Sequence, residues 1–312
     1  MKLINQSAQY LPQQEGIDGI YKQVELAGRT SYLSYDKITE NSAKKFVDML
    51  IKSKHTSVLE HCAVYLKDSY DVSALGSWKN SLGEKYSRDP YSKVDTDDNM
   101  DFKGIYITTN LRVLYENGWM RDIGRLCEPT EYHEKRLSVR VITDIGVTRE
   151  FNRHRAFSIV EQSTRYCNFS KDKFGNEITF IIPTWFKDIL LEGHYDMTAT
   201  SFKCNEQTID INTNKTVRPY LYLLHCAEEM YLKSTSFGAY PQQARCMLPL
   251  ATKSEVIYTA FESDWRQFFD QRLFGKTGEP HPDMLVLANL IKEEFEKAGV
   301  WEGIMKYQSK FE

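Results

Sequence analysis

Apolar positions recur at helical spacing in several stretches of this 312-residue chain. Phe46, Met49 and Leu50 predict the buried face of a helix that starts near Asn41 or Ser42 and ends in a lysine-rich turn. Val217, Leu221, Leu224 and Tyr231 predict a core helix over residues 217–231. Pro282 in a first turn opens a last helix, with Met284, Leu287, Leu290, Ile291 and Phe295 inward and Gly299 as its stop. Another helix runs from Ser263, as N-cap, to Phe274, and a shorter one follows Thr109 or Asn110 and stops at Gly118. Residues 119–135 are helical in part. Alternation predicts strands at Ala63–Lys67 and Leu137–Ile142, the second with Leu137, Val139 and Val141 on one face. The apolar run Ile178–Pro183 predicts a buried strand, and residues 185–214 are irregular. If the strands at 63–67 and 137–142 pair, residues 68–135 form an insertion between them, charged and turn-rich over 85–102. Helices and strands in this mixture predict an α+β chain.

Composition narrows the picture. With 41% hydrophobic and 13% aromatic residues the chain can bury a sizeable core, which excludes disorder. A formal net charge of −3 argues against bulk nucleic-acid binding. No apolar run approaches the ~20 residues of a membrane span, and the start MKLINQSAQY has no signal-peptide apolar region. The six cysteines are scattered singly, as suits reduced thiols, so a cytoplasmic location is expected.

Charge is concentrated in one place. Arg149, Arg153, Arg155 and Arg165 fall between residues 149 and 165. An extended Arg153-His154-Arg155 would project both guanidinium groups to one face. Ser163, Thr164 and Arg165 follow as a small-hydroxyl turn with a further cation. Guanidinium forks and hydroxyls match phosphate and carboxylate oxygens. A solvated charged loop is the plain alternative, but apolar Phe157, Ile159 and Val160 place these cations near a packed surface, which favours an anion site. Two further stretches leave alternatives open. His55-Thr-Ser-Val-Leu-Glu-His61 is a bland loop, a metal site, or a ligand-lining segment built on His55, Ser57 and Glu60; its histidine spacing is not that of a helical metal pair. Arg272 shares a helical face with Trp265, Phe268 and Phe269, either snorkelling to solvent or buried and aimed at an anion.

In order along the chain, Arg29-Thr30-Ser31, His55…Glu60-His61, Arg153-His154-Arg155…Ser163, Glu161-Gln-Ser-Thr-Arg165-Tyr166 and Ala244-Arg245-Cys-Met-Leu-Pro249 resemble the motifs of flavin-dependent thymidylate synthases. Arg272 falls where a later helix of that family carries an arginine. The resemblance implies one α+β domain over 1–312, a central helix/sheet fold without a Rossmann fingerprint, a mixed helical insertion at 68–135, and a homotetramer with active sites shared between subunits. It implies reductive methylation of dUMP to dTMP, with methylenetetrahydrofolate as carbon donor, FAD as cofactor and NADPH as reductant. Carried over by position, Arg153, Glu161, Ser163, Thr164, Arg165, Arg245 and Arg272 hold dUMP, with Arg165 and Arg272 also catalytic. Ser31, His55, Ser57, Arg153, His154, Arg155 and Gln267 contact FAD. No cysteine follows a proline, so the attacking thiol of the other thymidylate synthase class has no counterpart, and no metal is implied. Glu150 stands where some members have glutamine; Phe261 and Gln267 each replace an asparagine. The alternatives are a non-catalytic nucleotide-binding protein that keeps the arginine cradle and, less suited to the acidic charge, an RNA-binding module using Tyr166, Phe169 and Trp265.

Overall fold

The computed structural model describes residues 1–71, 78–97, 102–197, 201–204, 207–209 and 215–311. Parts of the segments expected at 68–84, 85–102 and 185–214 lie outside the described residues. The strands are β1 (Lys2–Ile4), β2 (Ser7–Tyr10), β3 (Val64–Asp71), β4 (Lys93–Thr96), β5 (Phe102–Thr109), β6 (Arg136–Asp144), β7 (Ser158–Glu161), β8 (Thr179–Ile181), β9 (Gly193–Met197), β10 (Phe202–Cys204), β11 (Gln207–Ile209) and β12 (Lys253–Phe261). The helices are α1 (Gly16–Thr30), α2 (Ala43–Lys52), α3 (Leu82–Ser87), α4 (Leu111–Glu116), α5 (Ile145–Phe151), α6 (Val217–Ser236), α7 (Pro241–Ala244), α8 (Glu262–Arg272), α9 (Pro282–Lys297) and α10 (Trp301–Met305). The fold is α+β.

The sheet that matters for the site has the order β2-β6-β12-β7. In it β12 pairs antiparallel with β6 from Lys253↔Asp144 to Phe261↔Arg136, and with β7 from Val256↔Glu161 to Thr259↔Ser158. Both faces of β12 are covered. Val256, Tyr258 and Ala260 join Trp265, Phe268, Leu287 and Ile291 in one core; Ile257 on the other face packs with Leu11, Ala27 and Val160. Trp265 is fully buried, donates Nε1–H to the Leu137 carbonyl at 3.1 Å, and meets Phe157 and Phe295 edge-on at 4.7 and 5.0 Å. Truncating such a ring costs about 3–5 kcal/mol, so this core anchors α8 against the sheet. On the other side α1 and α2 approach closely at Gly28, where a Cβ would sit 2.6 Å from the Phe46 ring.

The structure corrects several expectations. The strands flanking 68–135 do not pair with each other: β3 pairs with β5 in a separate sheet of order β3-β5-β4, while β6 lies between β2 and β12. Residues 68–135 are therefore richer in strand than a mixed helical insertion, and 119–135 holds only a 3-10 turn at Met120–Arg125. In α2 the buried stripe is Ala43, Val47 and Leu50, leaving Met49 half exposed. Phe261, not Ser263, is the N-cap of α8. Of the two caps expected for α4, Asn110 is the one that serves, its Oδ1 accepting from Val113 N–H at 3.1 Å. No helix among the described residues is long and apolar enough to cross a membrane.

Candidate functional site

The segment Arg153–Arg155 is not extended. Helix α5, capped by Asp144 Oδ1 accepting from Val147 N–H at 2.8 Å, ends at Phe151 and runs into two turns closed by His154 N–H to Phe151 O and Phe157 N–H to His154 O. Arg153 and Arg155 are exposed, and His154 turns inward, edge-on to Phe268 at 5.2 Å. From the last turn of α8, Arg272 donates Nε–H to His154 Nε2 at 3.1 Å and Nη2–H to the Glu150 carbonyl at 3.2 Å. Its Nη1 lies 3.6 Å from the Glu150 carboxylate. The departure at Glu150 is thus taken up by an ion pair. Burial, then the charges of Arg272 and Arg153, push the His154 pKa down to about 4. His154 is accordingly a neutral acceptor that aims the Arg272 guanidinium. Burial likewise lowers the Arg272 pKa, and Glu150 opposes that shift.

A second group forms past the other end of β7. Ser163 N–H donates to the Ser31 carbonyl at 2.9 Å, which joins the end of α1 to this turn. Ser163 Oγ accepts from Arg165 N–H at 3.2 Å, and Thr164 Oγ1 accepts from Arg245 Nη1–H at 3.3 Å. Arg165 lies over the Tyr166 ring at 5.3 Å, and Tyr166 stacks on Tyr32 at 5.0 Å. Glu161 accepts from Ser254 Oγ–H at 2.6 Å. Arg29 is committed internally, paired with Glu25 at 2.7 Å and lying over Phe46 at 4.5 Å. Beside this turn sits a polar network absent from the sequence reading. Tyr35 O–H donates to Glu255 at 2.7 Å, and Lys253 Nζ donates to Glu255 at 3.1 Å and to Gln162 at 3.0 Å. Burial and Glu255 raise the Tyr35 pKa, keeping its proton in place. The only prior signal was charge (Lys253, Glu255) at the start of an otherwise apolar strand.

The 55–61 segment is a 3-10 turn, Thr56–His61. His55 and Ser57 are exposed, and Glu60 pairs with Arg112. His61 points the other way, buried, with Nδ1 3.0 Å from Thr259 Oγ1; burial, then the charge of Arg136, lowers its pKa to about 3. The two histidines therefore share no ligand. Among the described residues no group of three or more histidines, cysteines or carboxylates is placed to hold a metal. Gln267 accepts from Lys310 Nζ at 2.9 Å. Phe261 lies under the Arg136 guanidinium, 5.1 Å from ring centroid to cation. Arg136 itself is buried; Nη2 donates to Ser158 Oγ at 3.1 Å, while Nε has no hydrogen-bond partner among the described residues.

The structure thus gathers Arg272, His154 and Glu150 before the start of β7, and Ser31, Ser163, Thr164, Arg165 and Arg245 past its end. His55, Ser57, Arg155 and Gln267 belong to neither group. Among the described residues Arg153, Arg155, Arg165 and Arg245 make no ion pair, in contrast to Arg272. Exposed cations beside hydroxyl donors are chemically suited to bind phosphate or another oxyanion.

Comparison with curated proteins finds no match. Among solved structures the chain is similar to the UMP/dUMP methylase PolB from Streptomyces cacaoi, bound with 5-Br dUMP in one crystal and 5-Br UMP in another. Identity is 16% and 15%, the TM-score is 0.44 in both, and each match covers 98% of this chain and 96% of that one. The family described as thymidylate synthase complementing protein matches residues 117–298, more than half of the chain and the part that holds Arg153–Arg155, the Ser163 turn, Arg245 and Arg272. The chain belongs to the thymidylate synthase complementing protein family.

Proposed function

We propose that the protein is a flavin-dependent thymidylate synthase that converts dUMP to dTMP, taking the carbon from methylenetetrahydrofolate and reducing equivalents from NADPH. Family membership supports the reaction class. The observation that carries the assignment to these residues is that Arg165 and Arg245, at the Ser163–Thr164 turn, have no ion-pair partner among the described residues, and neither does Arg153 beside His154.

The donor set fits a flavin dinucleotide. Its diphosphate needs cationic donors, and Arg153 and Arg155 are exposed and make no ion pair among the described residues. Ser31, His55, Ser57, Arg153, His154, Arg155 and Gln267 would hold it. Bound FAD would supply the hydride chemistry that links NADPH to the pyrimidine. The chain's own residues do the rest. Ser163, Thr164 and Arg245 hold the phosphate of dUMP. Arg165 and Arg272 stabilise negative charge developing on the uracil oxygens as carbon 5 becomes nucleophilic. Neutral His154 fixes the direction of Arg272, and a ligand oxyanion competes with Glu150 for the same guanidinium.

The assembly is a homotetramer with sites shared between subunits. Leu223, Met230 and Phe237 repeat every seven residues along and just past α6 and are 57%, 43% and 80% exposed. An apolar stripe of that spacing suits a contact with a second copy. The test is a spectrum and titration of the purified protein. Reconstitution with FAD should give a yellow protein whose flavin absorbance shifts on adding dUMP, and which makes dTMP when folate and NADPH are supplied. A colourless protein that binds dUMP would be the non-catalytic nucleotide binder instead; one that binds neither ligand rejects both readings.

A further inference from the structure

Helix α4 reaches the 55–61 turn, and Cys62 just past it, through several independent contacts. Arg112 pairs with Glu60 and donates Nε–H to Glu116 at 2.9 Å. Glu116 accepts Thr56 Oγ1–H at 2.6 Å, so Arg112, Glu116, Thr56 and Glu60 close a ring around the turn. The backbone joins in, with Leu111 N–H donating to Cys62 Sγ at 3.4 Å. Beneath the polar ring, Leu111, Val113 and Leu114 of α4 are buried in one core with Leu59 and Cys62. A 3-10 turn has poor hydrogen-bond geometry of its own and keeps its shape only when neighbours impose it.

We propose that Arg112 is a positioning residue for cofactor binding. Through Glu60, and through Glu116 to Thr56, it holds the 55–61 turn so that His55 and Ser57 stand exposed toward the flavin. This assigns a task to part of the 68–135 segment: α4 braces a motif loop that lies outside the residues matched by the family. Because Arg112 is itself partly exposed, its bonds contribute little to global stability, and its effect is local order. The inference rests on the flavin reading above in its second half only.

The experiment compares the full-length protein with Arg112→Ala, Arg112→Lys and Glu116→Gln. Hydrogen exchange without any ligand reads the brace directly. Amides of residues 56–62 should exchange severalfold faster in Arg112→Ala, with residues 163–167 unchanged and the melting temperature within about 2 °C of wild type. FAD affinity reads the consequence: it should fall roughly 3- to 10-fold in Arg112→Ala and in Glu116→Gln, and Arg112→Lys should recover part of the loss. Unaltered exchange at 56–62 overturns the brace. Faster exchange with unchanged FAD affinity, in a protein whose wild type binds FAD, overturns the positioning role. A wild type that binds no FAD rejects the flavin reading, and with it the role of Arg112 toward that cofactor, while the exchange data still decide the brace.

Discussion

Replacing Arg272 by methionine separates the two tasks assigned to this side chain. Methionine keeps the aliphatic length and removes the donors to His154 Nε2 at 3.1 Å and to the Glu150 carbonyl at 3.2 Å, together with the 3.6 Å approach to the Glu150 carboxylate. Hydrogen bonds from a charged donor are worth about 1.5–3 kcal/mol each, and the desolvation cost of the partly buried guanidinium, which disappears with it, offsets part of the two. A net loss of roughly 2 kcal/mol follows, small enough against a total of about 5–15 kcal/mol for the protein to stay folded. The His154 midpoint should then rise from about 4 toward the ordinary histidine value without reaching it, because burial, the larger cause, persists. Binding gives the third number. A charge-assisted contact to dUMP lost at about 1.5–3 kcal/mol lowers affinity roughly 10- to 100-fold. Calorimetric titration with dUMP, run beside an NMR pH titration of the His154 ring, measures both effects on one sample. If the His154 midpoint rises while dUMP affinity is unchanged, Arg272 is scaffolding for His154 and not a ligand of the nucleotide. A midpoint that does not move refutes the electrostatic coupling from which the argument starts.

Two further outcomes follow from the same geometry. Arg245→Ala and Arg272→Ala should each inactivate the enzyme, yet co-assembled from equal amounts they should recover about one quarter of wild-type activity if each site takes Arg245 from one subunit and Arg272 from another; no recovery in verified mixed oligomers places both in one subunit. Acid should also destabilise the fold through its histidines. His61 and His154 titrate near 3 and 4 when folded and near 6.5 when unfolded, so between those values the unfolded chain binds more protons. Stability contributed by their neutral forms is complete above pH 6.5 and is lost as pH falls, by up to about 1.4 kcal/mol per pH unit for each histidine. Glu262, Asp144 and Asp264, raised by burial, act in the opposite direction at lower pH. Denaturant melts of wild type and His61→Asn at pH 7, 6 and 5 isolate the histidine part, and parallel pH dependence in the two proteins would remove His61 from the account.

Helices with one apolar stripe were legible in the sequence. Helices α6 and α9 bury Val217, Leu221, Leu224, Tyr231, Met284, Leu287, Ile291 and Phe295 at helical spacing. Strand β12, which organises the central sheet, was not legible, because with both faces covered it has no alternation to find. Strands β1 and β2 are too short, at 3 and 4 residues, to carry a period at all. The mistaken pairing of β3 with β6 has a different cause. Either strand is compatible with several partners, and only the hairpin-like return through β5, in full register from Val64↔Thr109 to Asp71↔Phe102, decides it.

The residue types of the candidate site were legible for a reason that also limits what motif matching can assign. Arg153, Arg155, Arg165 and Arg245 stand out because they have no ion-pair partner among the described residues. Arg29 belongs to the same pattern but is consumed by Glu25 one helical turn away, and it sits where its carbonyl accepts the N–H groups of Tyr32 and Ser34. The consequence of that turn is the Ser31 carbonyl meeting Ser163 N–H, a contact between residues 132 positions apart that no local spacing foretells. Matching a motif thus locates a residue near the chemistry, while its internal partners decide its task. By that criterion Arg29 shapes the turn at the end of α1, Arg153, Arg165 and Arg245 keep no ion pair among the described residues, and Arg272 is held by His154 and Glu150, the partners with which the proposed nucleotide would compete.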